Sequence, residues 1–306
     1  MAAGDAAAHY TGATNWGANL LTDVYLQKKF ITRLEKSLAM VPLGKMATLP
    51  EKMGKTVGWN LMSNPGALSA LSEDNPTAVT LTTTYVTAVL GDYASNYPYT
   101  RFLELTATED TIPEIVSAAG YQMALSWDTD THVAVASATQ IDAGVAMTAE
   151  TIRTASYTLD ALNTQPHSKA NGNLVAVLGS EQCYDMFGEG APTWVQAMRG
   201  DLESSMRTPV GSDGSVKSVI YGTMIRRSTN CVQATNEEYG YIFGDEAFGV
   251  AMIGPGTPMS PQVYVTPPSA RVDRAARDVG SVGSISFFVA KLLDANRIRE
   301  LKSDVT

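Results

Sequence analysis

The segment that most restricts how this chain can fold runs from residue 54 to residue 98. Residues 54–62 alternate in polarity, which places Val57, Trp59 and Leu61 on one side of an extended strand. A turn-rich stretch follows, Ser63-Asn64-Pro65-Gly66 and then Leu71-Ser72-Glu73-Asp74-Asn75-Pro76. From 79 to 90 the chain is again extended and rich in β-branched residues, with Tyr85 in its middle. Two long arms joined by turns make a ribbon, and an arm of about 12 residues reaches roughly 40 Å at strand rise. An isolated two-stranded ribbon is at best marginally stable in water, so its apolar side is expected to rest on another subunit. Val57, Trp59, Leu61, Leu71, Glu73, Pro76 and Tyr85 are the candidate intersubunit contacts on this reading.

Composition points the same way. Only 17% of the 306 residues are charged. That is below the usual quarter, as expected where part of the surface is covered. The formal charge of −9 lacks the basic footprint that a dedicated nucleic-acid reader needs. It does not bar a wall that merely surrounds DNA. The two cysteines, Cys183 and Cys231, are too few for a disulfide framework and fit a reducing compartment. The first eight residues lack the cationic start and apolar core of a signal peptide. No run of about 18 apolar residues is present, so no membrane contact is expected.

After an arm at 1–19, residues 20–39 read as a helix with Leu20, Val24, Ile31, Leu34 and Leu38 on one face. Its other face carries Lys28, Lys29, Arg33 and Lys36, which are either a solvated face or cations turned toward packaged nucleic acid. A longer helix is predicted over 112–138. Thr111 and Glu114 form a capping box, and Ile112, Val116, Ala119, Met123, Trp127 and Ala134 form one stripe. Between Phe102 and Thr151 there are carboxylates but no Lys or Arg, a repulsion that cationic neighbours would relieve. Further on, the pattern predicts a helix at 149–162, a buried strand at 174–178 and a short helix after Ser180. An extended run at 216–228 and strands at 239–243, 248–253 and 284–290 follow, with a closing helix at 292–301. Seams between subdomains are expected near 140–147 and 254–268.

Catalytic signatures are absent from this pattern. His9, His132 and His167 show no metal-ligand spacing, and the cysteines form no CxxC. Gly54-Lys55-Thr56 imitates the end of a phosphate loop, but Leu49 stands where its first glycine belongs, and a strand pattern follows instead of a helix. No cofactor, metal or catalytic residue is expected.

Three stretches then carry a resemblance. They are the loop turn Leu71-Ser72-Glu73-Asp74-Asn75-Pro76, the run Tyr239-Gly240-Tyr241-Ile242-Phe243-Gly244-Asp245-Glu246-Ala247-Phe248-Gly249, and a late strand at 285–289 entering a short Ile/Leu helix. In this order, after an arm, a ribbon and a long helix, the chain resembles the HK97-type major capsid proteins of tailed bacteriophages. The resemblance implies an α+β fold with an N-terminal arm (1–19), a first helix and lead-in (20–53) and an extended β-hairpin loop (54–98). A peripheral domain with a spine helix (99–147), an axial domain (148–254) and a return to the peripheral domain with a C-terminal helix (255–306) complete it. It also implies self-assembly into hexamers and pentamers of an icosahedral shell, with axial loops near 188–200 or 208–215 at their centres. Packaged double-stranded DNA would be held by non-specific contact, and portal, decoration or scaffolding proteins would be further partners. The location implied is the virion capsid, built in the host bacterial cytoplasm. No fused scaffolding segment is expected, and lysine–asparagine crosslinking does not carry over. Two other readings stand beside it: the shell of a bacterial nanocompartment (encapsulin-like), and a soluble α/β enzyme.

Overall fold

A computed structural model describes residues 25–49, 54–62, 81–107, 111–142, 144, 146–187, 218–231, 233–234, 236–253, 261–266 and 279–304. The first helix, α1, spans 25–37 and buries Leu26, Phe30 and Leu34 at four-residue spacing. Leu38 is buried just beyond it and Ile31 is half-buried, while Leu20 and Val24 lie outside the described residues. A six-residue helix, α2 (Arg101–Thr106), precedes the spine helix α3 (Thr111–Val135). Helix α3 has 25 residues and, at about 1.5 Å per residue, makes a rod of about 38 Å. Its buried stripe runs Val116, Ala119, Met123, Trp127, Thr131, Val135. Helix α1 crosses α3 at Gly120, where a Cβ would stand 2.8 Å from the Phe30 carbonyl oxygen. Only glycine admits so close an approach.

Helix α3 covers one face of a five-stranded sheet. That sheet holds β1 (Lys45–Leu49), β4 (Gly91–Thr100), β11 (Phe248–Ile253), β12 (Gln262–Thr266) and β13 (Val279–Leu292). The 14-residue β13 is its backbone, pairing with β4 along one side and with β11 and β12 along the other. Trp127 of α3 stacks on Phe288 of β13, with ring centroids 5.0 Å apart, a favourable aromatic geometry. Residues 91–98, expected in the ribbon, therefore belong to this sheet. The ribbon itself is β2 (Thr56–Met62) paired with β3 (Thr83–Val89).

A second sheet holds β5 (Thr139–Asp142), β6 (Leu174–Leu178), β7 (Ser218–Ile220), β8 (Thr223–Arg227), β9 (Gln233–Ala234), β10 (Glu237–Phe243) and β14 (Ile298–Asp304). Every residue of β6 is buried. Leu174, Ala176 and Leu178 meet helices α4 (Ala149–Ala161) and α5 (Ser180–Phe187), while Val175 and Val177 join the core under α3. The expected closing helix at 292–301 is not there. Residues 279–292 continue as β13, and Ile298–Asp304 forms β14 between β10 and β5. Leu301 is fully buried in that position, and a strand bonded on both edges outweighs the short helical spacing of the apolar residues.

The chain first passes from one sheet to the other between β4 and β5, through α3 and close to the break expected near 140–147. It crosses back at 244–247 and over again at 293–297, whereas β11 and β12 share a sheet and the break expected near 254–268 is no crossing. At this double crossing Gly244 N–H donates to the Arg297 carbonyl (3.0 Å), and Leu293 N–H donates to the Ala247 carbonyl (3.0 Å). Lys45 pairs with Glu246 (2.7 Å) and Arg297 with Asp294 (3.2 Å). Strand β11 thus lies in the α3-covered sheet, and β5 and β14 in the other, which corrects the expected boundaries at 147, 254 and 255.

Asp128 is fully buried on α3 and satisfied by donors from two other segments. Its Oδ1 accepts from the backbone N–H groups of Ala39 (3.3 Å) and Met40 (2.7 Å), where the chain turns out of α1. Its Oδ2 accepts from Ser228 Oγ (3.4 Å) and Asn230 Nδ2 (3.2 Å), just after β8. One member of the acidic run is therefore satisfied inside the subunit and faces no partner. One turn later His132 is fully buried, its Nε2 3.9 Å from Asp128 Oδ2, and neither ring nitrogen has a hydrogen-bond partner among the described residues.

Removing the carboxylate in Asp128→Ala leaves two buried N–H donors unpaired and is expected to cost about 3 kcal/mol in urea unfolding. Burial holds the His132 imidazole below its usual pKa, and the Asp128 carboxylate offsets this only in part. The folded ring is neutral while the unfolded chain takes up a proton near pH 6.5, so stability drops as pH falls through that value. Glu300 acts in the opposite sense. Burial pushes its carboxyl up to about 7 from an ordinary 4.5. Its stabilisation is therefore present at acid pH and lost as pH rises through about 7. Urea midpoints measured across both transitions should lose the acid-side slope in His132→Leu and the neutral-side slope in Glu300→Gln.

Candidate assembly surface

The ribbon β2–β3 has two unlike faces, set by the register Val57↔Ala88, Trp59↔Val86 and Asn60↔Tyr85. One face carries Val57, Trp59 and Leu61 with Val86 and Ala88. It lies on Ala251 and Leu293, beside the double crossing. Trp59 is only 4% exposed there, and a Cβ on Gly249 would come within 2.6 Å of its ring. The alternation expected from the sequence is present, but the side it defines rests on the chain's own subunit. Val57 and Trp59 are thus withdrawn from the intersubunit contacts, because both are buried within one chain. Leu61 is half-buried at the edge of the same cluster.

No described residue covers the opposite face. Tyr85 is 64% exposed, its ring lying over Gly58, and Met62 and Val89 are exposed as well. Of the expected contacts Tyr85 is the one placed outward; Leu71, Glu73 and Pro76 lie outside the described residues, as do the axial loops at 188–200 and 208–215. Beneath the ribbon a polar cleft of about 400 Å³ separates Leu61 and Thr84 from Asn163, Asp294 and Arg297.

The cations of α1 come together as expected on one face, and two of them have partners within the subunit. Lys29 pairs with Glu114 at the start of α3 (2.9 Å). Arg33 stands over the Tyr121 ring, 5.4 Å from its centroid, within cation–π reach. Lys28 and Lys36 stand beside them. A shallow pocket of about 420 Å³ lies among these four cations, Tyr25 and Ser117.

Sequence reasoning missed the most exposed apolar group of the described residues. On α2, Phe102 is 76% and Leu105 74% exposed, and Leu103 is 44% exposed. The signal was present in Thr100, whose Oγ1 accepts from Leu103 N–H and starts a helix too short to bury three large side chains. Among the described residues no group of three or more His, Cys, Asp or Glu side chains is placed to hold a metal ion, and no helix is long and apolar enough to cross a membrane. His167 serves the fold: its Nε2 meets the Leu43 carbonyl (2.8 Å), and its Nδ1 accepts from Lys169 N–H (3.1 Å).

No protein-family model and no curated protein matches the sequence. Solved structures do match, and they are mostly phage capsids. The capsid of Ralstonia phage GP4 aligns with a TM-score of 0.69 at 12% identity, covering 88% of this chain and 92% of that one. The capsid of cyanophage P-SCSP1u aligns at 0.60 and 11% identity, covering 86% and 87%. A virus-like particle from Pyrococcus furiosus aligns at 0.55 and 9% identity, covering 92% and 99%. Ribbon, spine helix and paired sheets together give this chain the HK97-type capsid fold.

Proposed function

We propose that this chain is the major capsid protein of a tailed bacteriophage, assembling with copies of itself into hexamers and pentamers that close an icosahedral shell around double-stranded DNA. The observation that carries the reading is the shared fold over 88% of the chain, including a ribbon with one face, that of Tyr85, uncovered by the described residues of its own subunit. Extended segments of this kind add contact area outside the core, and obligate interfaces commonly exceed about 2,000 Å². Repetition of such head-to-tail contacts closes a shell when the rotation between copies closes. An acidic wall holds DNA loosely, which suits contents that must leave, and a portal would occupy one vertex. On this reading the chain is structural and has no catalytic role. It is made in the bacterial host's cytoplasm and ends in the virion.

A nanocompartment shell is the second reading: a virus-like particle is among the matching structures, and its TM-score of 0.55 falls within the 0.54 to 0.69 of the phage structures. Nucleic acid in purified particles, rather than protein cargo, decides for the phage.

Expression of the full chain should yield closed particles tens of nanometres across by negative-stain microscopy; a monomer under all assembly conditions overturns the proposal. Deleting residues 63–76 should abolish shells while the subunit keeps its cooperative unfolding. Intact shells after that deletion would show that the ribbon tip makes no essential contact. Gly249→Ala should push Trp59 off its seat, cost about 1–3 kcal/mol as an overpacked site does, and red-shift its fluorescence. It should also lower shell yield, because the ribbon then leaves the body at another angle.

A further inference from the structure

The exposed side chains of α2 have a complementary surface elsewhere on the same molecule. Between α1 and β12 lies a groove of about 720 Å³, walled by Gln27, Ile31 and Thr32 on the helix and by Val263 and Val265 on the strand. Its walls are fixed relative to each other. The Gln27 side chain accepts from Val263 N–H (3.1 Å) and donates to the Pro261 carbonyl, so helix and edge strand are clamped together. Ile31, Val263 and Val265 give the groove an aliphatic lining, matched in kind to an incoming Phe and Leu.

Charge separates plug from socket as well. Residues 101–110, which include all of α2, contain Glu104, Glu109 and Asp110 against the single cation Arg101. The socket's helix carries Lys28 and Lys36 beside Lys29 and Arg33, which Glu114 and Tyr121 of their own subunit engage, and Lys28 itself lines the groove. An apolar plug in an acidic setting thus has its counterpart in an apolar socket with a basic rim. The two lie on opposite sides of β13 at the same end of the sheet. Thr100, next to α2, pairs with Val279, and Thr266 of the groove pairs with Ser281. Plug and socket thus lie on opposite flanks of β13, the placement that a head-to-tail contact between copies needs.

We propose that α2 of one copy inserts Phe102 and Leu105 into the α1–β12 groove of an adjacent copy, with the α1 cations facing that copy's acidic segment. The proposal rests on the shell reading above and names which surfaces meet. Lys28 and Lys36 then face a sister subunit, not nucleic acid.

Thiol trapping in assembled particles tests it, since the native Cys183 and Cys231 are both buried. Chains carrying Leu105→Cys and Ile31→Cys, co-assembled with the wild-type chain, are treated with a short bis-maleimide and run on a denaturing gel. The expected result is a ladder of dimers and larger species from the doubly substituted chain. Mixed singly substituted chains should give only the heterodimer. Shells that form normally but yield no crosslinked species overturn the proposal and leave the shell reading standing. Dimers from Leu105→Cys alone overturn it too, because they report a symmetric contact. Absence of any shell from the wild-type chain removes the reading on which it rests. Independently, Phe102→Ser with Leu105→Ser should raise the subunit concentration needed for assembly at least tenfold, with the urea midpoint unchanged because both side chains are exposed in the free subunit. Lys28→Glu with Lys36→Glu should do likewise. Shells assembling at the wild-type concentration but holding less nucleic acid would assign those lysines to DNA and overturn their part in the contact.

Discussion

Asp128 is the point from which the geometry of the subunit follows. A carboxylate with no access to water is tolerated only where several donors converge on it, and here they come to α3 from the turn out of α1 and from the segment after β8. Arg226 of β8 adds a bond to the Leu38 carbonyl in the same turn (2.9 Å). The spine helix is thereby fixed to the sheet that contains β8, although its apolar stripe packs on the sheet that contains β13. Hydrophobic contact alone would leave a long helix free to slide along that sheet. The converging hydrogen bonds set its register, and with it the position of α1 and of every surface that α1 presents.

The second constraint is the double crossing at 244–247 and 293–297. Both strands that could seat the ribbon, β11 and the end of β13, begin or finish there, so the platform under Trp59 is built from the join between the sheets. Gly249 supplies the absence that the indole fills. The ribbon is held at its base by one apolar face, and no described residue covers the other. Its direction is decided inside the subunit, while its outer face stays available to others. That division explains how a two-stranded element can be ordered before assembly, which its pairing alone would not achieve.

Local signals in the sequence transferred well where the structure is decided locally. The helix at Ala149–Ala161 is bounded by the Thr148 cap, β6 by its unbroken apolar run, and β11 by its flanking glycine and aromatic residues. What failed was decided at long range. Ile298–Asp304 is too short for its apolar spacing to separate helix from strand, and both of its strand partners, β10 and β5, lie far earlier in the chain. The ribbon failed in a subtler way. Alternation identifies which side chains share a face, and Val57, Trp59 and Leu61 do share one, but it carries no information on what covers that face. The same gap hid α2: the sequence Phe102-Leu103-Glu104-Leu105 does not tell what covers its apolar side chains, and no described residue buries Phe102 or Leu105.

The placement of exposed apolar groups then bears on assembly. In a solitary globular protein scattered exposed hydrophobics need no explanation. Here several cluster on thin elements, the ribbon and α2, whose outward side chains contribute nothing to the subunit's own core. That core draws instead on β6 and on the inner stripe of α3. A chain arranged in this way can fold first on its helices and sheets and associate afterwards through its extremities, so the two steps draw on different residues. On the proposed reading, polar substitution on the extremities alters association while the fold persists, and a change at Asp128 alters both.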